Sequence, residues 1–202
     1  MANETSAGAT AGITPSQTVG PFFHDALLAE DRARLVAEDH VGAIRIRGRV
    51  YDGAGGPVPD AMVEVWQADS GGRYHHPADT REGVRDGIED QDFTGFGRCG
   101  AGAEGAFEFV TVKPGPAPGP DGSWQAPHIL VSVFARGLLR RLATRIYFPD
   151  EEEANAADPV LLCVEQERRQ TLIAISEDGD LRFDIRLQDG PSGEPETVFF
   201  DV

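Results

Sequence analysis

The chain has 202 residues, 40% hydrophobic and 26% charged, which is long enough for one well-buried core and short for two. Its 34 acidic against 18 basic residues give a net charge of −16, a field that repels nucleic-acid phosphates and anionic lipid headgroups alike. No run approaches the roughly 18 to 20 apolar residues of a membrane span, and the N-terminus has no basic or apolar signal region. A cytoplasmic chain that binds neither nucleic acid nor membrane is expected.

Residues 1–13 are small and polar and are expected to be disordered or draped on another surface, with 14–202 forming one domain. "TPSQTVGPFF" (14–23) is stiffened by Pro15 and Pro21 but has no periodicity, so it reads as an ordered arm. In "HDALLAEDRARLVAEDH" (24–40), Leu27, Leu28, Leu35 and Val36 fall at helical spacing among charges, predicting a short amphipathic helix. At residue 43 the period changes to two. "AIRIRGRVYDG" alternates Ile44, Ile46 and Val50 with Arg45, Arg47 and Arg49, the pattern of a half-buried strand. "DGAGGPVPDA" is a turn cluster, and "MVEVWQAD" (62–69) is the next strand. Residues 70–104, rich in Gly, Asp and Arg, read as a long irregular stretch, the kind that is functional or forms an interface. Further strands are expected at 106–112, 128–135, 143–148, 171–176 and 181–187, and "PDEEEANAA" places acids where a helix N-terminus favours them. About seven short strands with frequent Gly and Pro turns predict an all-β, antiparallel β-sandwich with an N-terminal arm, a short helix and long interface loops.

The five histidines are His24, His40, His75, His76 and His128. The chain has no HExxH, no Cys/His zinc spacing, no GxSxG, and no phosphate-binding glycine loop after a strand. His75 and His76 sit in a loop, where adjacent histidines chelate poorly. A metalloenzyme built on His75, His76 and His128 with nearby carboxylates is a minor alternative. His128 stands in an otherwise apolar strand, "APHILVSVFARG" (126–137). Two residues on, where a same-face second ligand would stand, the residue is Leu130. By itself His128 reads as a ligand, a remnant of one, or a buried histidine with a hydrogen bond. Cys99 and Cys163 belong to no CxxC pattern and read as free thiols. Arg136 ends a strand before Gly137: either a solvated rim arginine or an anion-binding one, whose planar fork matches a carboxylate. The arginines of 141–145 and 167–170 read as surface ion pairs.

The ordered set "TPSQTVGPFF", "VEVWQADSGGRYHH", "GFGRC", "TVKPGP", "APHILVSVFARG", "TRIYF" and "ETVFFD" resembles the intradiol aromatic-ring dioxygenases from about residue 14 to the C-terminus. Each motif is weak alone; their order is specific. The resemblance implies a β-sandwich in which two tyrosinates and a His-x-His pair hold Fe(III), a hard ion suited to phenolate oxygen. The bound catecholic substrate reacts there with O2, and the ring opens between the hydroxylated carbons. This chain has Tyr only at 51, 74 and 147, with Ala117 after "KPGP" and Leu130 in place of the second histidine. Of the four implied ligands His128 alone is present, as a remnant, so no catalytic metal residue is expected in this chain.

Some members of that family pair an iron-free chain with a homologous iron-bearing one in a higher (αβ)n oligomer, and the arm and "FARG" end resemble the iron-free partner. By that resemblance Fe(III) belongs to the partner. Thr18, Gly20, Pro21 and Arg136 would face a small aromatic acid bound there, and the resemblance favours the anion-binding reading of Arg136. The alternative is a stand-alone β-sandwich binding module that kept the fold and lost the chemistry.

Overall fold

The computed structural model of the protein describes residues 16–20, 26–28, 32–81 and 93–201. Eleven strands are formed among them: β1 (Ala43–Tyr51), β2 (Met62–Gln67), β3 (Phe96–Gly100), β4 (Ala106–Val112), β5 (Ala117–Pro118), β6 (Trp124–Gln125), β7 (His128–Phe134), β8 (Leu142–Tyr147), β9 (Ile175–Glu177), β10 (Asp180–Arg182) and β11 (Ile185–Arg186). Helix α1 (Glu152–Ala157), helix α2 (Pro159–Leu162) and a 3-10 turn (Gln166–Leu172) lie between β8 and β9.

Two sheets make the sandwich. One has the order β3-β2-β7-β8. The other is built on β1, with β4 along one side and β10 and β11 in succession along the other, β9 lying outside β10. The alternation in β1 turns Ile46 and Val50 inward, where they meet Phe107 and Phe109 of β4 and Val63, Val65, Ile129, Val131 and Val133 of the facing sheet. A buried polar bridge spans the same gap. Gln67 of β2, fully buried, donates to the carbonyls of Ala68 and Val112 and accepts from Thr111 Oγ1, so no orphan polar group is left there.

The β-sandwich is as expected, but five local expectations are corrected. The predicted helix over 24–40 is not a helix at its described C-terminal end. Ala26 and Leu27 have helical backbone, whereas 32–36 run extended and bridge the edges of β3 and β4. Arg98 N donates to Arg32 O, Val110 N to Ala33 O and Leu35 N to Val110 O, so two sheet edges supply hydrogen bonds that outweigh helix propensity. Second, the long irregular stretch hides β3, paired antiparallel with β2. Gly97 is required at its centre, because a Cβ there would stand 2.6 Å from Leu35 Cδ1 and 2.8 Å from Val65 Cγ2.

Third, the β1 sheet is mixed, since β10 and β11 both run parallel to β1. Fourth, the single strand expected over 181–187 is broken at Phe183, whose N–H bonds to Arg47 O and whose carbonyl crosses Gly48 where a side chain would collide. Fifth, the expected strand over 171–176 is split: Thr171 and Leu172 end the 3-10 turn, Ile173 makes an isolated bridge to Tyr147, and only Ile175 and Ser176 join β9. The acids of "PDEEEANAA" do open a helix, with Glu152 and Glu153 in the first turn of α1. Expectations for residues 1–13 lie outside the described residues.

Candidate functional site

The outer face of the β3-β2-β7-β8 sheet collects the side chains that the core rejects. His128 of β7 is opposite Tyr147 of β8, and Leu130 is flanked by Trp66 of β2 and Arg145 of β8. His128 is 3% exposed, with Nδ1 2.7 Å from Ala126 O. A carbonyl can only accept, so Nδ1 holds the proton and Nε2 is the basic nitrogen. Burial, with help from the Arg145 charge, pushes the imidazole down to about 4, against the opposing Ala126 bond and Asp158 charge.

Beside it runs a chain of bonds. Arg145 Nη1 donates to Gln125 Oε1 at 3.0 Å and to the Tyr147 hydroxyl at 3.2 Å, and that hydroxyl donates to Asp158 Oδ1 at 3.0 Å. Asp158, fully buried, also accepts from Ala126 N, Val160 N and Leu161 N, so one carboxylate caps α2, whose first residue is Pro159, and anchors the segment leading into β7. Burial raises the Tyr147 phenol above its ordinary value and keeps it protonated.

These residues do not fit a ferric ion. A hard trivalent ion needs several anionic or imidazole donors converging on one point. The face offers one imidazole, a leucine at 130, a buried alanine at 117 in β5 and a phenol already committed to Asp158. Among the described residues no three His, Cys, Asp or Glu side chains converge as a metal site would need. His75 and His76 are exposed, His76 Nδ1 accepting from Ala78 N, and they are not brought together with His128 into such a group. Cys99 and Cys163 are not joined to each other; Cys99 is half-buried on β3 and Cys163 is exposed.

The second cluster lies at the end of β7. Leu138 N–H bonds to Ala135 O across a turn whose third residue, Gly137, has φ +86°, a conformation that favours glycine. Arg136 occupies the exposed corner. Thr18 Oγ1 accepts from Gly137 N at 2.9 Å, so the arm docks on the turn and two of the expected site residues share one corner. Gly20 is exposed, and a Cβ placed on it would touch nothing within 4 Å; Pro21 lies outside the described residues.

Sequence reasoning missed Asp60. Its Oδ2 accepts from Arg136 Nε at 2.6 Å and from Arg136 N at 3.3 Å. The signal is the β2–β7 register: two residues beyond the Met62–Phe134 pair, Asp60 comes opposite Arg136. A groove of about 750 Å³ among the described residues lies elsewhere, on the β1 sheet, where Arg47, Arg49 and Arg182 meet Glu108, Glu177 and Asp184 in equal number and leave no net cationic site. A second groove of about 580 Å³ is walled by Trp66 stacked on Tyr74, with Arg81 held by Asp79.

Comparison with known proteins gives a model of the Dioxygenase family (Dioxygenase_C) matching residues 18–189. The chain is 43% identical to the protocatechuate 3,4-dioxygenase alpha chain of Burkholderia cepacia, over 94% of this chain and 97% of that one. It is 36% identical to the beta chain of the same organism's enzyme, over 81% of this chain and 67% of that one. Among solved structures, the dioxygenase domain of a dioxygenase carbohydrate-binding protein fusion from Streptomyces sp. SirexAA-E matches with a TM-score of 0.54 at 27% identity, over 86% of this chain and 95% of that one.

Proposed function

The chain belongs to the intradiol dioxygenase family, and from that premise we propose that it is the iron-free, alpha-type subunit of a protocatechuate 3,4-dioxygenase. The observation that supports this best is a near full-length likeness to alpha chains, joined to a set of described donors around His128 that does not fit a ferric ion. Likeness to both alpha and beta chains supports a homologous iron-bearing beta-type partner, the two assembling as a cytoplasmic (αβ)n oligomer. The Fe(III) held by that partner supplies the activation of 3,4-dihydroxybenzoate for attack by O2, giving 3-carboxy-cis,cis-muconate. This chain's own work is to line the pocket: Thr18, Gly20 and Pro21 from the arm, and Arg136 for the substrate carboxylate. A buried benzoate without a cation would be strongly disfavoured, and on a chain of net charge −16 that cation must be placed locally. No helix among the described residues is long and apolar enough to cross a membrane.

Arg136→Ala in the reconstituted complex tests the reading. Loss of a charge-assisted pair is expected to lower kcat/KM for 3,4-dihydroxybenzoate by about ten- to a hundred-fold, leaving unsubstituted catechol nearly unchanged. Equal losses on both substrates would remove Arg136 from the substrate site. A well-behaved chain that does not associate with a beta-type partner would favour the stand-alone binding module instead.

A further inference from the structure

We propose that Asp60 is a positioning residue for Arg136, clamping the inner edge of the guanidinium so that its terminal fork faces outward for an aromatic carboxylate. This rests on the reading of Arg136 given above.

The geometry separates the two edges of the side chain. A single carboxylate oxygen, Asp60 Oδ2, receives both the Nε–H and the backbone N–H of Arg136, which fixes the side chain against its own main chain. Among the described residues the Arg136 guanidinium bonds through Nε, and its Nη1 and Nη2 groups carry no bond. With Nε taken, those two nitrogens are the edge left for an end-on fork-to-fork bond to a carboxylate. The exposures match: the Arg136 side chain is 75% exposed and that of Asp60 27%, so the acid is the inner member and the guanidinium the outer.

The turn beneath is also held. Gly137 supplies the positive φ that aims the corner, and Thr18 grips the Gly137 N–H, so arm, turn and Asp60 constrain one arginine from three sides. An arginine at a strand end otherwise samples many rotamers, and ordering it on binding lowers affinity. The negative charge has a second effect. Asp60 neutralises the guanidinium in the empty site, so a passing anion gains little from charge alone. A carboxylate that satisfies both terminal nitrogens while its ring is held elsewhere gains the full pair. Asp60 therefore sets selectivity for ring-borne carboxylates rather than bulk anion affinity.

The test uses the reconstituted complex of this chain with its iron-bearing partner, assayed with 3,4-dihydroxybenzoate and with catechol. Asp60→Ala is expected to raise KM for the acid about tenfold, through loss of an ordered charge-assisted contact, with kcat within twofold and catechol unaffected. Asp60→Asn keeps an oxygen acceptor for Nε–H and is expected to restore KM to within about twofold, while raising inhibition by simple anions such as chloride or acetate. Size-exclusion profiles of both variants should match wild type. An unchanged KM, equal losses on acid and catechol, or assembly that fails in both variants would overturn the proposal. Arg136→Ala separates this from the underlying reading. If Arg136→Ala distinguishes the two substrates and Asp60→Ala does not, Asp60 alone is wrong. If Arg136→Ala treats them alike, the substrate site and the role of Asp60 fall together.

Discussion

His128 titrates in a way that makes the stability of this chain depend on pH, and the size follows from its surroundings. The imidazole packs between elements: Ala126 O takes its Nδ1–H, the Tyr147 ring lies 5.8 Å away on β8, and Arg145 and Asp158 supply the nearest opposing charges. Burial and the Arg145 cation lower its proton affinity from 6.5 to about 4. The unfolded chain therefore takes up a proton below pH 6.5 that the folded chain refuses until about 4, and protons favour the unfolded state throughout that interval. The contribution is fully present above pH 6.5 and is lost as pH falls through the window, for a total of about 3 kcal/mol at about 1.4 kcal/mol per tenfold change in proton affinity. Urea unfolding of the chain between pH 4.5 and 7.5, followed by tryptophan fluorescence, measures it. His128→Gln keeps an N–H for the Ala126 carbonyl but cannot titrate, so its stability should fall less steeply with acid, by about 1.4 kcal/mol per pH unit at the steepest. Parallel profiles for the two proteins, or an imidazole seen by NMR to titrate near 6.5, would refute the reasoning.

Asp158→Ala strips acceptors from three backbone N–H groups and the Tyr147 hydroxyl, and is expected to cost about 3 to 5 kcal/mol, lowering Tm by roughly 10 °C in calorimetry. A shift under about 2 °C would mean that water replaces the carboxylate freely. In alkali, Tyr147 and Tyr74, both raised chiefly by burial, should ionise later than an ordinary phenol in a 295 nm titration. Because the folded state holds the Tyr147 proton more tightly, its stabilisation persists below pH 10 and is lost as pH rises above it; normal, reversible ionisation near pH 10 would contradict this. Purified alone and offered ferric ion, the chain is expected to retain none in stoichiometric amount and to show no visible tyrosinate-to-iron band; one iron per chain by elemental analysis would overturn the donor argument.

The strands that sequence made legible are those whose neighbours leave room for ordinary side chains. β1 and the first half of β4 alternate apolar and polar residues because each has one face on the core, whereas β7 stands out as a run of apolar, β-branched residues. β3 was invisible because close contact with Leu35 and Val65 demands glycine at 97, and a glycine-bearing strand reads as loop. Leu35 and Val36 fit a helical stripe but fit equally well as two neighbours plugging the gap between sheet edges, and only the unpaired edges of β3 and β4 decide between them. Arg136 and Thr18 were readable as motif positions. Asp60 was not, because it matters only through a ladder register that fixes its partner 76 residues away. Asp158 was hidden for the same reason, capping its own helix while holding an N–H 32 residues earlier.

The outer face of the β3-β2-β7-β8 sheet carries a buried polar cluster that the chain satisfies with its own side chains. Buried polar atoms destabilise a fold when unpaired, so a face bearing His128, Tyr147, Gln125 and Asp158 needs a donor for the Gln125 carbonyl and the Tyr147 hydroxyl oxygen. Arg145 provides it. It stands opposite Leu130, bonds to Gln125 and Tyr147, and places its positive charge close enough to help hold His128 neutral. The same charge disfavours any metal ion approaching His128, since two cations a few ångströms apart in a poorly solvated site repel strongly. One arginine thus pairs the buried acceptors of this face and sets a positive charge against any cation beside His128. Leu130→His alone would add a second imidazole beside an arginine, with no phenolate at 117, and so is not expected to create an iron site, as elemental analysis of the variant would check.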